Sequence, residues 1–183
     1  MARKSAANTF VKECIVTALR TLMEEKEYHE ISISDITRKA GVSRMAYYRN
    51  YTSKEDIIEK TLDEHALITD QYTIPLYEAG NMEGYMEYLF TDFANQADFY
   101  ACIQRARLGD MILRYFNRCT IQFVARYQDP DPLKYQILAI SGSVYNMAIT
   151  WIMEGLRETP KEMALLFLRT VNREMLYQVL PGR

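Results

Sequence analysis

Arg44, Arg49, Tyr47, Tyr48 and Tyr51 crowd into the stretch "SDITRKAGVSRMAYYRNYTSKEDI", which begins at Ser34 and ends at Ile57. No other group of side chains in the sequence concentrates as much binding chemistry. A guanidinium forms paired hydrogen bonds with a guanine edge or a phosphate. A tyrosine packs its ring and still offers its hydroxyl. Residues 32–54 carry Arg38, Lys39, Arg44, Arg49 and Lys54 against the single acid Asp35, inside a chain of formal net charge −2. A local basic patch is the electrostatic footprint of a polyanion site. Charge alone fits a solvated helix face equally well.

Other chemistries find little support. His29 and His65 are the only histidines, and no Cys or His neighbour gives metal-ligand spacing, so no metal and no cofactor is expected. Cys14, Cys102 and Cys119 are odd in number and widely spaced, which suits reduced thiols rather than a disulfide framework. There is no Ser-His-Asp arrangement, no Gly-rich phosphate loop and no paired catalytic carboxylate, and the chain is not expected to be an enzyme. "SGS" at 141–143 sits inside a helical pattern and reads as a close helix approach. No run of about 18 apolar residues predicts a membrane span. "MARKSAANTF" is basic but lacks the apolar core of a signal peptide. The expected location is the cytoplasm, with no membrane partner.

The elements that position the basic cluster follow from apolar spacing and breaks. Phe10, Cys14, Ile15, Ala18, Leu19 and Leu22 form one helical stripe, so the first helix is expected over about 6–26. "ISISDI" alternates and could pass for a strand, but Ser34 before Asp35 suits a helix start, predicting a second helix over about 35–40. Gly41 ends it, Ser43 caps a third helix over about 44–50, and Ser53 caps a long fourth one with Glu55 and Asp56 in its first turn. Further helices are expected at about 54–79, 82–97, 99–107, 109–128, 132–155 and 160–178. "DPDP" and "ETPKEM" mark two of the boundaries. The fold class is all-α, with a small N-terminal domain (1–53) and a larger helical domain (54–183) that share the fourth helix.

Two short helices joined by a tight glycine turn make a helix-turn-helix. Ala40 is small where the helices cross, and Ile36 and Val42 pack the pair onto the first helix. In such a motif the second helix lies in the DNA major groove. Arg44, Tyr48, Asn50 and Lys54 are the leading candidates for DNA contact, and Ser43 and Met45 stand beside them. Ser32 and Ser34 are candidate phosphate contacts, although capping explains Ser34 equally well. Tyr47 is placed facing the DNA.

The stretch from about Phe10 to Leu62 resembles the N-terminal domain of TetR-type transcriptional regulators. Their pattern "I…aGvs…tfYrhFksKeeL" reads here as "ISISDITRKAGVSRMAYYRNYTSKEDII". Tyr48, Tyr51, Ser53, Lys54 and Glu55 fall on its Tyr, Phe, Ser, Lys and Glu. Asn50 stands where His is common, and Met45-Ala46 replace small or hydroxyl residues. The resemblance implies a homodimer on a double-stranded operator, most simply a repressor. It also implies a four-helix bundle of the last two long helices across a two-fold axis, and an internal ligand pocket. The segment "ISGSVYNMAITWIMEGLRETPKEMA" is similar to dihydroxyacetone-kinase-activator-like regulators, which implies the alternative of a protein partner as the signal.

The remaining candidates lie in the larger domain. An apolar or aromatic effector needs an aromatic lining with a few polar groups, and Tyr88, Arg105, Phe116, Cys119, Phe123, Tyr145 and Trp151 are candidates for it. Tyr135, Leu138 and Gly142 on one stripe, and Met163, Phe167 and Thr170 on another, are candidates for a dimer interface. Packing within the chain accounts for the same stripes.

Overall fold

A computed structural model describes residues 2–180. Among the described residues there are ten α-helices, two short 3-10 turns and no strand. No described helix is long and apolar enough to cross a membrane. The chain divides into two compact units, the first running up to Glu64 and the second starting at His65. The boundary lies within one long helix.

The first unit holds α1 (Ala2–Glu25), a 3-10 turn (Tyr28–Glu30), α2 (Ile33–Ala40), α3 (Arg44–Asn50) and the first turns of α4 (Lys54–Glu78). Ile15, Ala18, Leu19 and Leu22 bury the inner face of α1, as their spacing predicts, but Phe10 at its outer end is 66% exposed. The alternating "ISISDI" is the start of a helix and not a strand. Ser32, rather than Ser34, is the N-cap: its side chain accepts from the Asp35 amide, and Asp35 reaches back to the Ser32 amide. This reciprocal box satisfies two donors that a helix start otherwise leaves open. It moves the start of α2 two residues ahead of the expected one.

Asp35 also ties α2 to its surroundings, accepting from Lys26 at 2.8 Å and from Arg38 at 2.6 Å. The Lys26 ammonium, then the Ser32 hydroxyl and amide, hold its carboxyl well below the usual carboxylate range. Gly41 closes the helix with φ 66° and ψ 28°, a left-handed conformation that a side chain resists. Its amide and that of Val42 return to the carbonyls of Arg38 and Thr37.

The second unit contains the rest of α4, then α5 (Met82–Asn95), α6 (Ala97–Arg105), α7 (Gly109–Val124), α8 (Lys134–Met153), α9 (Pro160–Thr170) and α10 (Arg173–Val179). α5 packs on α9 and α7 on α8. Phe90, Ile103, Ile112, Ile137, Ala164 and Phe167 have no exposed surface. The single helix expected over about 160–178 is two. At the break the Asn172 side chain accepts from the Met175 amide, and a side chain that caps a new helix competes with continuation of the old one.

Because the folded-state pKa of Asp35 is depressed, its contribution to stability is present above the ordinary carboxylate range and is lost as pH falls. Acid titration of urea-unfolding midpoints is expected to give a steeper loss for the wild type than for Asp35→Asn. The Asp35→Asn variant is also expected to be the less stable of the two at neutral pH.

Candidate functional site

The rotation of α3 about its axis is set by Tyr47. Its ring has no exposed surface. It meets Tyr48 edge-on at 5.3 Å and Tyr51 at 6.0 Å. Ser43 starts the helix by accepting from the Ala46 amide at 3.1 Å. With Tyr47 inward and about 100° per residue, Met45 and Arg49 lie on the opposite side. Arg44 and Tyr48 both lie on the Met45 side, about 60° and about 100° round from Tyr47, and all four are exposed, Met45 to 75% and Tyr48 to 54%. Among the described residues neither Arg44 nor Arg49 has an ion-pair partner. The nearby cations of α2 are matched, Arg38 by Asp35 and Lys39 by Glu25. Arg44 and Arg49 therefore put unpaired positive charge on the exposed side of α3, beside one exposed aromatic ring and one thioether.

Three expectations need correction. Tyr47 does not face outward: it is core, and burial pushes its phenol up to about 12. The Lys54 ammonium is turned away from solvent onto the carbonyls of Tyr28 at 2.6 Å and Ile31 at 3.1 Å. It also lies 4.2 Å from the centre of the Tyr28 ring, so it braces the 3-10 turn against the start of α4. Asn50 donates to the carbonyl of Ala46, on its own helix, at 2.9 Å. In each case the sequence identifies the residue but not its direction, which is fixed by partners 4 to 26 positions away. Ser32 is occupied as a cap, whereas Ser34 is exposed and its hydroxyl has no partner among the described residues.

A second feature lies within the second unit. A cavity of about 110 Å³ is bounded by α4, α5, α6, α7, α8 and α9, with Leu176 and Leu180 at one side. Of the effector candidates, Phe116, Cys119 and Phe123 line it. Tyr88 does not: its ring stacks on Tyr72 at 5.1 Å. Trp151 is buried elsewhere and donates its indole N–H to the Glu158 carbonyl at 3.1 Å. Arg105 is exposed at the end of α6, and Tyr145 packs behind the wall against Phe116 at 6.2 Å.

The sequence reading missed Thr69, Asp70, Tyr85, Asp92, Tyr100 and Tyr115 in the lining. Tyr115, Cys119 and Phe123 share a face of α7 at helical spacing, a signal that was available. Asp92 accepts from Thr69 at 3.0 Å and bonds His65 Nε2 at 2.7 Å. Loss of solvent, then the Asp92 charge, pushes the Tyr100 phenol far up.

Of the dimer candidates, Met163 and Phe167 are buried within the chain, because α9 lays that stripe on α5. Tyr135 and Thr170 are exposed, and Leu138 and Gly142 are half-buried. A Cβ at Gly142 would meet nothing within 4 Å.

Comparison with known proteins agrees with this geometry. Residues 15–61 match the sequence model of the bacterial regulatory proteins, tetR family. An HTH-type transcriptional regulator of Bacillus subtilis (strain 168), YxbF, is 39% identical over 57 residues. That match covers 31% of this chain and spans only 15% of the relative's length. The solved structure of the dihydroxyacetone kinase operon activator DhaS shares the fold at TM-score 0.56 and 16% identity, covering 92% of this chain and 96% of that one.

The Tyr47 hydroxyl has no hydrogen-bond partner among the described residues. Tyr47→Phe removes an unsatisfied buried polar atom and keeps the ring. Its urea-unfolding free energy is expected to be unchanged or raised by up to about 1 kcal/mol, whereas Tyr47→Ala is expected to lose about 3–5 kcal/mol.

Proposed function

We propose, on the match of residues 15–61 to the tetR family of bacterial regulatory proteins, that the chain is a DNA-binding transcriptional regulator acting as a homodimer. The observation that carries this reading is the outer face of α3, where Arg44, Met45, Tyr48 and Arg49 are exposed together and both guanidinium groups are unpaired among the described residues. The two arginines address guanine edges or phosphates, Met45 makes apolar contact with base edges, and Tyr48 sets its ring against the sugar and its hydroxyl on a phosphate. Ser34 and Ser43 lend hydroxyls to the backbone. Lys54, Asn50, Ser32 and Tyr47 act indirectly by fixing the motif.

In a dimer, two copies of α3 enter successive major grooves about 34–36 Å apart on a near-palindromic site. The stripe of exposed Tyr135 and half-buried Leu138 and Gly142 on α8 is the surface offered to a second copy. The chain acts as a repressor, released when a small apolar or aromatic molecule occupies the cavity of the second unit. The cavity favours a small molecule over a protein as the signal. Such a molecule shifts the equilibrium only by binding the two states unequally.

Selection from a random duplex pool over a salt series tests the DNA reading. A two-fold-related site is expected to be enriched, with affinity falling steeply as salt rises. Arg44→Ala is expected to lose about 1–3 kcal/mol and relax one position if it reads a base, or to lower the salt slope by about 1 if it holds a phosphate. Absence of enrichment at low salt contradicts the reading.

A further inference from the structure

The cavity of the second unit carries charge of one sign. Asp70 and Asp92 are in its wall, and among the described lining residues there is no Lys, Arg or His. Asp70 is matched by the Arg126 guanidinium at 2.6 Å. Asp92 is not matched in the same way. Both of its contacts fall on Oδ2, from the Thr69 hydroxyl at 3.0 Å and His65 Nε2 at 2.7 Å. A hydroxyl and an imidazole both donate without needing a charge.

Tyr100 supplies an independent observation. It is 1% exposed and lines the cavity, yet its hydroxyl has no hydrogen-bond partner among the described residues. The oxygen keeps a little accessible surface, so it is open to a partner inside the cavity. Phe93, Phe116 and Phe123 complete the wall with aromatic faces, which attract a cation through the ring quadrupole.

We propose that this cavity takes a small organic ammonium. Its N–H groups are donated to Asp92 and to the phenol oxygen of Tyr100, and its apolar body lies among Phe93, Phe116 and Phe123. The proposal rests on the reading of the cavity as the effector site. An anion of the same size meets two carboxylates and no cation in the lining. A volume of about 110 Å³ limits the body to less than one ring, since a cavity of about 150 Å³ holds benzene.

The test is calorimetric titration of the full chain with propylammonium, 1-propanol and propionate, three probes that share a short aliphatic body and differ in charge. Propylammonium is expected to bind at least about tenfold tighter than 1-propanol, and propionate more weakly than either. Asp92→Asn is expected to abolish that preference and leave 1-propanol binding intact. If Asp92→Asn does not fold, Tyr100→Phe serves in its place and is expected to weaken propylammonium selectively. Equal binding of the cation and the alcohol, or tighter binding of propionate, overturns the charge inference and leaves the cavity as an effector site. Failure of all three probes to bind overturns both.

Discussion

Burial of the Tyr47 ring is the constraint on which the first unit depends. A seven-residue helix has little stability of its own, so α3 is held by what it buries. With Tyr47 at zero exposure, the helix has one permitted rotation, and that rotation presents Met45 and Arg49 outward with Tyr48 and Arg44 following on the Met45 side. The left-handed Gly41, the Ser32–Asp35 box and the Lys54 brace serve the same end. They fix where α3 begins, how closely α2 approaches it and where α4 departs. The outer face carries the two guanidinium groups with Met45 and Tyr48 exposed beside them, while the Tyr47 ring is the large group turned inward.

The second unit places its constraint differently. Its core is aromatic and continuous, from Phe90 against Phe93, Trp151 and Phe167 to Phe116 against Tyr100 and Tyr145. Large rings leave gaps where their edges do not interlock, and one such gap opens beside Asp92. The carboxylate there is kept by the Thr69 hydroxyl and His65, each on α4. The division between the two units falls within α4.

The sequence makes local features legible. Ser43 as a cap, Gly41 as the turn, Ser53 before an acidic first turn and Thr159-Pro160 as a helix start all depend on neighbours within about four residues, and the spacing of Ile15, Ala18, Leu19 and Leu22 reads directly as a buried face. Direction is less legible. Nothing near Lys54 announces that its ammonium will be taken by carbonyls of Tyr28 and Ile31, and nothing near Tyr47 distinguishes it from Tyr48, its neighbour on the outer side. The cavity is the least legible feature, because Thr69, Asp92, Tyr100 and Tyr115 come from four helices. Met163 and Phe167 show the opposite error: a stripe suited to a second chain is satisfied within this one by α5.

The central claim is that DNA meets the outer face of α3 while Tyr47 stays in the core. Nuclear magnetic resonance of the full chain, with labelled methionine methyls and tyrosine rings, tests it most directly when a duplex bearing the selected site is added. The account predicts that the Met45 methyl and the Tyr48 ring shift with bound DNA, while the Tyr47 ring keeps its position. A shifted Tyr47 ring with an unmoved Met45 methyl would contradict it.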